Sequence, residues 1–216
     1  MEALMTKVGV IGSGTVAQVL AKGFKSKGYD VMIGSREGTK LADFSKESGI
    51  ASGSFADVAT FGEIIVLAVK GTAAESAVAL AGAGLSGKLV LDATNPISDE
   101  PPDHGILRYF TSPNQSLMER LQDAAPSAHF VKAFSCVGNA FMIDPKLPGG
   151  PPTMFICGND ADAKARTKEI LTQLGWDSED IGQVEGARAI EPLCQLWCAP
   201  GFQRNQWTHA FKMLRM

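Results

Sequence analysis

Apolar residues in the first two thirds of this chain fall in short unbroken runs and seldom alternate with polar ones. Ile64-Ile65-Val66-Leu67-Ala68-Val69 is the clearest case. A run of that length without polar alternation predicts a strand covered on both faces. Similar runs predict strands near 7–11, 30–34, 50–53, 63–68, 88–92 and 129–133. The intervening periodicity predicts helices at about 15–27, 38–47, 55–60, 72–82 and 115–124. Strands and helices alternating in this way are the sequence form of an α/β fold with a doubly wound, mostly parallel sheet.

Two stretches break the pattern. Between Pro96 and Ser116 a long loop is expected, with Asp99-Glu100-Pro101-Pro102-Asp103 followed by His104, Gly105, Tyr109 and Phe110. It follows a strand's C-terminal end, the edge where such sheets bind ligands, so it reads either as a cover over a substrate or as a disordered excursion. From Asp144 to Pro152, four prolines and two glycines in nine residues mark a boundary. The organisation expected is a nucleotide-binding unit over 1–143 and a small C-terminal α/β extension over 153–216. The extension is predicted to hold a strand at 153–157, a helix from Asn159-Asp160 to about Leu174 and a short strand near Asp180-Ile181. Two closing helices are predicted at 187–198 and 203–214. Roughly 70 residues hold too little core to stand alone, so this part should pack on the first and shape its pocket.

Candidate chemistry begins at Val8-Gly9-Val10-Ile11, which runs into Gly12-Ser13-Gly14-Thr15-Val16-Ala17 and then into a helical pattern. A buried strand, a Gly turn and a helix start in that order form a dinucleotide-binding turn of the Rossmann type. Gly12 makes the tight turn, Gly14 lets backbone N–H groups approach a pyrophosphate, and Ala17 permits close helix packing. The next strand ends in Gly34-Ser35-Arg36, where an NAD site would place a carboxylate; Asp30 lies at the opposite end of that strand. Arg36 offers a planar fork suited to a phosphate, Ser35 adds a hydroxyl and Lys40 a second positive charge. NADP(H) is the expected cofactor. The alternatives are a solvated surface Arg36 and a contact from Glu37 to an NAD ribose.

Composition narrows the classes of partner. A net charge of −3 over 216 residues gives no polybasic footprint for nucleic acid or an anionic membrane. No apolar run reaches the roughly 20 residues of a membrane span, and Met1–Lys7 lacks the regions of a signal peptide, so a cytoplasmic protein is expected. Cys136, Cys157, Cys194 and Cys198 show no zinc-type spacing, and His104, His129 and His209 are scattered, so no metal site is expected. Cys194 and Cys198 should share one helix face.

At the predicted strand ends stand Ala68-Val69-Lys70, Asp92-Ala93-Thr94-Asn95-Pro96 and Ala133-Phe134-Ser135. Small and mildly polar groups dominate, and no Tyr-x-x-x-Lys, His-Asp or Lys-Asn arrangement offers a proton donor, so no catalytic side chain is singled out. Hydride transfer between nicotinamide and a flavin-like ring needs little from side chains beyond orientation and stacking distance. Ala133 and the small residues near Thr94 would permit that approach, with Phe134 as a wall.

The chain here resembles the NADP oxidoreductases that depend on coenzyme F-420, a deazaflavin. The likeness rests on GSGTVA at 12–17, on Ile33-Gly34-Ser35-Arg36 with Lys40, and on Asp92-Ala93-Thr94-Asn95-Pro96. It continues through Ser116-Leu117, Val131-Lys132-Ala133-Phe134 and His209-Ala210-Phe211-Lys212. The same unit is similar to the cytosolic part of ferric and cupric reductases and to the N-terminal domain of pyrroline-5-carboxylate reductase. The resemblance implies that the Gly turn (Gly12, Ser13, Gly14, Thr15, Val16), Ser35, Arg36 and Lys40 bind NADP. Ala68, Val69 and Lys70, after the fourth predicted strand, join that cofactor set. Thr94, Asn95, Pro96, Ala133 and Phe134 would flank the nicotinamide and its redox partner. Ser135 stands where many relatives carry Asn, so the acceptor side departs from the pattern; coenzyme F-420, FMN, FAD or another small-molecule acceptor would take the hydride.

Two other functions fit the same residues. One is an imine or ketone reductase related to pyrroline-5-carboxylate reductase, which would need a proton donor facing the nicotinamide. The other is a nonenzymatic NADPH sensor in which the 97–115 loop responds to the cofactor. Leu193, Leu196, Trp197, Phe202, Trp207 and Phe211 near the C-terminus would pack in the core, cover the crevice or join two subunits in a homodimer.

Overall fold

A computed structural model describes residues 5–216. The chain runs β1 (Lys7–Ile11), α1 (Thr15–Ser26), β2 (Asp30–Gly34), α2 (Ala42–Ser48), β3 (Ala51–Gly53), α3 (Phe55–Phe61) and β4 (Ile64–Leu67). It continues with α4 (Ala74–Ala81), β5 (Leu89–Asp92), α5 (Leu117–Ala124), β6 (His129–Lys132), β7 (Thr153–Ile156) and α6 (Ala161–Gln173). β8 (Asp177–Asp180), α7 (Ala187–Ile190) and α8 (Pro192–Arg204) complete it. Six strands form one parallel sheet in the order β3-β2-β1-β4-β5-β6, the doubly wound arrangement that the apolar runs predict. The order reverses beside β1, and the crevice above that switch point is where such sheets bind ligands.

Both faces of the sheet are covered. Val8, Val10, Val66 and Leu91 bury one face with Leu20 and Phe24 of α1 and Ile170 and Leu171 of α6. Ile65, Leu67 and Val90 bury the other with Val58 of α3, Ala77 of α4 and Leu121 of α5. Every residue of β4 is buried, each large aliphatic side chain contributing about 1.5–3 kcal/mol relative to exposure. Helix ends match local sequence: Ser54 and Ser116 close reciprocal capping boxes with Asp57 and Glu119 at α3 and α5.

The region after Pro152 forms a second, two-stranded parallel sheet of β7 and β8 with α6. It joins the main sheet where the Lys132 N–H donates to the Cys157 carbonyl, at 3.0 Å. Met154, Ile156 and Trp176 share the apolar cluster of the large sheet, so the core is continuous across the proline-rich boundary.

Two expectations change. The predicted helix at 203–214 is absent: α8 ends at Arg204, Asn205 takes the left-handed conformation (φ 53°), and 205–216 returns as irregular chain. Trp207 lies against Gly201, where a Cβ would meet its ring at 2.3 Å, and the Phe211 carbonyl accepts from the Thr153 N–H at 2.8 Å. The four-residue spacing of Trp207 and Phe211 imitates a helical face but serves this packed return. The 96–116 segment, for its part, is an ordered ribbon. Ile97 pairs with Tyr109, and the tip turns through His104 and Gly105, both at positive φ as a two-residue hairpin turn requires. The ribbon is fastened to α8 and its start, where the Tyr109 hydroxyl donates to the Glu191 carbonyl and the Gln195 amide to the Leu107 carbonyl, each at 2.7 Å.

Candidate active site

The Gly turn sits at the switch point as its sequence implies. Gly12 has φ 141°, and a Cβ there would lie 2.2 Å from the Ala68 carbonyl oxygen and 3.2 Å from the Ala17 Cβ. At Gly14, the N-cap of α1, a Cβ would meet nothing within 4 Å. The helix start carries no side-chain cap and no acidic residue in its first turn. Its first N–H groups therefore point, with the positive end of the helix dipole, into a space kept open by the missing side chain, an arrangement built for an anion.

The crevice has two spaces. The first, about 270 Å³, is lined by Gly12, Ser13, Gly14, Ser35, Arg36, Glu37, Lys40, Ala68, Val69 and Lys70, with Phe55 and Ala73. Arg36 and Lys40 are exposed, and neither side chain enters an ion pair or side-chain hydrogen bond among the described residues. Ser35 is buried and its hydroxyl donates to the Glu37 carbonyl, so it shapes the turn after β2. Glu37 shares this wall, one carboxylate beside two unpaired cations. Asp30 starts β2 opposite Lys7, at the far edge of the sheet.

The second space, also about 270 Å³, is lined by Gly14, Thr15, Val16, Ala68, Val69, Lys70 and Ala93. Lys70 is its one titratable side chain, and it pairs with Asp99 of the ribbon. Behind this wall two turns meet closely, because a Cβ on Gly71 would lie 1.9 Å from the Asn95 carbonyl oxygen. Asn95 donates through Nδ2 to the Ser135 carbonyl at 2.8 Å, while its Oδ1 is buried without a partner among the described residues. The Pro96 carbonyl accepts from Phe110 N–H, and Thr94 is buried. Ala133 and Phe134 line neither space. Both are buried in the large apolar cluster, with Phe134 at φ 62° and its N–H directed at the Met154 sulfur. The structure thus brings Gly12 to Val16, Ser35, Arg36, Lys40 and Ala68 to Lys70 to one crevice. Thr94, Asn95 and Pro96 stand behind its wall, and Ala133 and Phe134 beneath it.

Sequence reasoning missed a buried ion network next to that wall. Lys132 Nζ lies 2.6 Å from Asp92 Oδ2, 2.9 Å from Glu191 Oε1 and 3.0 Å from the Thr94 carbonyl oxygen, with both ends of the first pair fully buried. Burial alone would pull the lysine down, but the two carboxylates outweigh it and hold the ammonium above its ordinary range. Asp92 Oδ1 accepts from the Thr94 N–H and hydroxyl at 2.9 and 2.6 Å. Glu191 accepts the first two N–H groups of α5, from Leu117 and Met118, each at 3.0 Å. A signal for half of this existed: Asp92 and Lys132 are charged residues that each follow a run of apolar residues at a strand's end, and they are partners in register.

The family model described as coenzyme F420-dependent NADP oxidoreductase matches residues 7–96. A crystal structure from Arthrobacter sp. FB24, provisionally assigned as an F420-dependent NADP-reductase, is 31% identical. It superposes with a TM-score of 0.90, covering 98% of this chain and 100% of that one. Metalloreductase STEAP3 of Rattus norvegicus is 30% identical over 188 residues, 87% of this chain, and the chain spans only 36% of that relative's length. An imine reductase from Myxococcus stipitatus shares the fold, at 19% identity and a TM-score of 0.66 over 90% of this chain and 62% of that one.

Proposed function

This chain belongs to the coenzyme F420-dependent NADP oxidoreductase family, and on that premise we propose that it passes hydride between NADPH and a deazaflavin or flavin-type acceptor. The crevice fits the dinucleotide on its own terms. The space a Cβ would fill at Gly14, in front of an uncapped helix start, suits the pyrophosphate. Arg36 and Lys40, which follow β2 and have no ion-pair partner among the described residues, suit a ribose 2′-phosphate better than a free hydroxyl, and their two charges outweigh Glu37 there.

When bound, reduced nicotinamide supplies the hydride; the protein's part is to bind, orient and leave room. The observation that carries the acceptor assignment is the wall of the second space. It is made of Gly14, Thr15, Val16, Ala68, Val69 and Ala93, with Lys70 paired to Asp99 as its one titratable group. An imine or carbonyl acceptor asks for a positioned proton donor. A planar ring acceptor asks for a smooth wall and stacking distance, which these side chains supply. The metalloreductase relative extends well beyond the shared segment, so reduction of a metal ion is no part of the activity proposed here. Leu196, Phe202 and Trp207 are exposed and line neither space, which favours the pairing of two subunits as their use.

The test is anaerobic NADPH oxidation by the purified protein, with the deazaflavin, FMN, FAD and a cyclic imine in parallel and NADH as control. Turnover with a flavin-type ring is expected. Binding of NADPH with turnover of the imine alone would transfer the assignment to the reductase reading, and binding with no turnover to the sensor.

A further inference from the structure

We infer that the buried Asp92–Lys132–Glu191 network is a positioning device that holds the Ala93–Asn95 turn in register with α8, so that a nicotinamide ring bound at Ala93 is fixed in place. The inference rests on the dinucleotide reading above, and it assigns these three residues no contact with the reacting atoms.

The argument starts from cost. Three charged side chains almost entirely out of water are expensive, and well-packed apolar residues of similar volume often serve stability as well or better. What such a network does supply is register, because its geometry is satisfied in one arrangement only. Here each charge faces an opposite charge, Asp92 Oδ2 through its ion contact with Lys132 and without a formal hydrogen bond among the described residues. Lys132 ties β6 to β5 through Asp92, to the junction of α7 and α8 through Glu191, and to the turn through the Thr94 carbonyl. Thr94 is gripped on three sides, its N–H and hydroxyl on Asp92 and its carbonyl on Lys132. Glu191 in turn seats α8 on the start of α5 through Leu117 and Met118. Between the grip on Thr94 and the end of β5 stands Ala93, the one residue of this turn on the wall of the second space. Arg36, Lys40 and the Gly turn, which carry the rest of the dinucleotide, touch none of these groups.

Two parts of the cofactor should therefore respond differently. The test compares wild type with Glu191→Gln, whose amide would turn a donor toward Lys132 or toward the α5 N–H groups. It also uses the combined variant Asp92→Asn/Lys132→Met/Glu191→Gln, which removes all three charges together and leaves none buried alone. Three quantities are measured: affinity for 2′,5′-ADP, which probes the adenosine end; fluorescence anisotropy of bound NADPH, which reports how firmly the nicotinamide is held; and the single-turnover rate with the acceptor. In folded variants, 2′,5′-ADP affinity should stay within about threefold, as for sites without shared partners. The nicotinamide anisotropy should fall, and the transfer rate should drop by about 10- to 100-fold, the scale of a small misplacement. Unchanged anisotropy and rate overturn the inference, as does an equal loss of 2′,5′-ADP and NADPH affinity. Failure of both variants to fold also overturns it, since the network would then be a requirement of the fold. If wild type reduces no acceptor, the hydride reading fails, and the anisotropy and 2′,5′-ADP measurements still decide this one.

Discussion

Gly12 and Ala68 hold the crevice to its shape: a Cβ on Gly12 would stand 2.2 Å from the Ala68 carbonyl oxygen, at a φ of 141° that side chains rarely adopt. Gly12→Ala should therefore destabilise the fold by about 1–3 kcal/mol or more, read as a shifted urea midpoint without any ligand present.

Gly14, two residues later, should behave in the opposite way. Its backbone is extended (φ −78°, ψ 178°) and a Cβ there has open space. Gly14→Val should unfold within about 1 kcal/mol of wild type, a modest change at an N-cap, yet bind neither NADPH nor NADH measurably. Retained binding would show that no pyrophosphate occupies this space.

Arg36 has no partner among the described residues and faces the first space. Arg36→Ala is expected to weaken NADPH binding by about 1.5–3 kcal/mol, the range for hydrogen bonds to charged groups, and to change NADH binding little. Isothermal titration with both cofactors checks this, and an equal loss for the two would remove the 2′-phosphate assignment.

Much of this was legible along the chain. Parallel strands buried on both faces leave unbroken apolar runs, so β1, β2 and β4 to β6 stand out, and the Gly turn is a local motif whose residues follow one another. Of the Asp92–Lys132–Glu191 network only the first pair left a trace, two charges that each close a strand, and a lone charge at a strand end looks like a solvated one; Glu191 comes from an element distant in the chain and left none. Ala133 and Phe134 read as a pocket wall because they follow a strand's C-terminal end, but the strap from Cys157 onto Lys132 and the Met154 side chain close over them. The tail was misread because Trp207 and Phe211 fit a helical spacing as well as they fit packing on Gly201 and Thr153.

Glu119 gives the fold a pH dependence. Hydrogen bonds from Arg188, helped by Ser116, hold its carboxyl at about 2. A carboxyl lowered in the folded state stabilises above its unfolded value near 4.5 and loses that contribution as pH falls toward 2. Urea midpoints should drop over that interval, and Glu119→Gln should flatten the drop while lowering stability at neutral pH.

Three of the four thiols should differ sharply in reactivity. Cys198 is partly exposed, and a hydrogen bond from the Cys194 thiol lowers it, while burial pushes Cys136 and Cys157 up to about 12. Brief alkylation at neutral pH should mark Cys198 first in a peptide map, with Cys136 and Cys157 labelled only after unfolding.

The most direct test of the proposed chemistry follows the transferred hydrogen itself. NADPH deuterated at nicotinamide C4 is mixed anaerobically with the protein and the oxidised deazaflavin in ordinary water, and the product is examined by mass spectrometry. Direct hydride transfer across the wall of Ala68, Val69 and Ala93 predicts deuterium on the deazaflavin carbon from one C4 face of the nicotinamide. A reduced deazaflavin carrying only solvent hydrogen from either labelled face, or no reduction while NADPH stays bound, would contradict it.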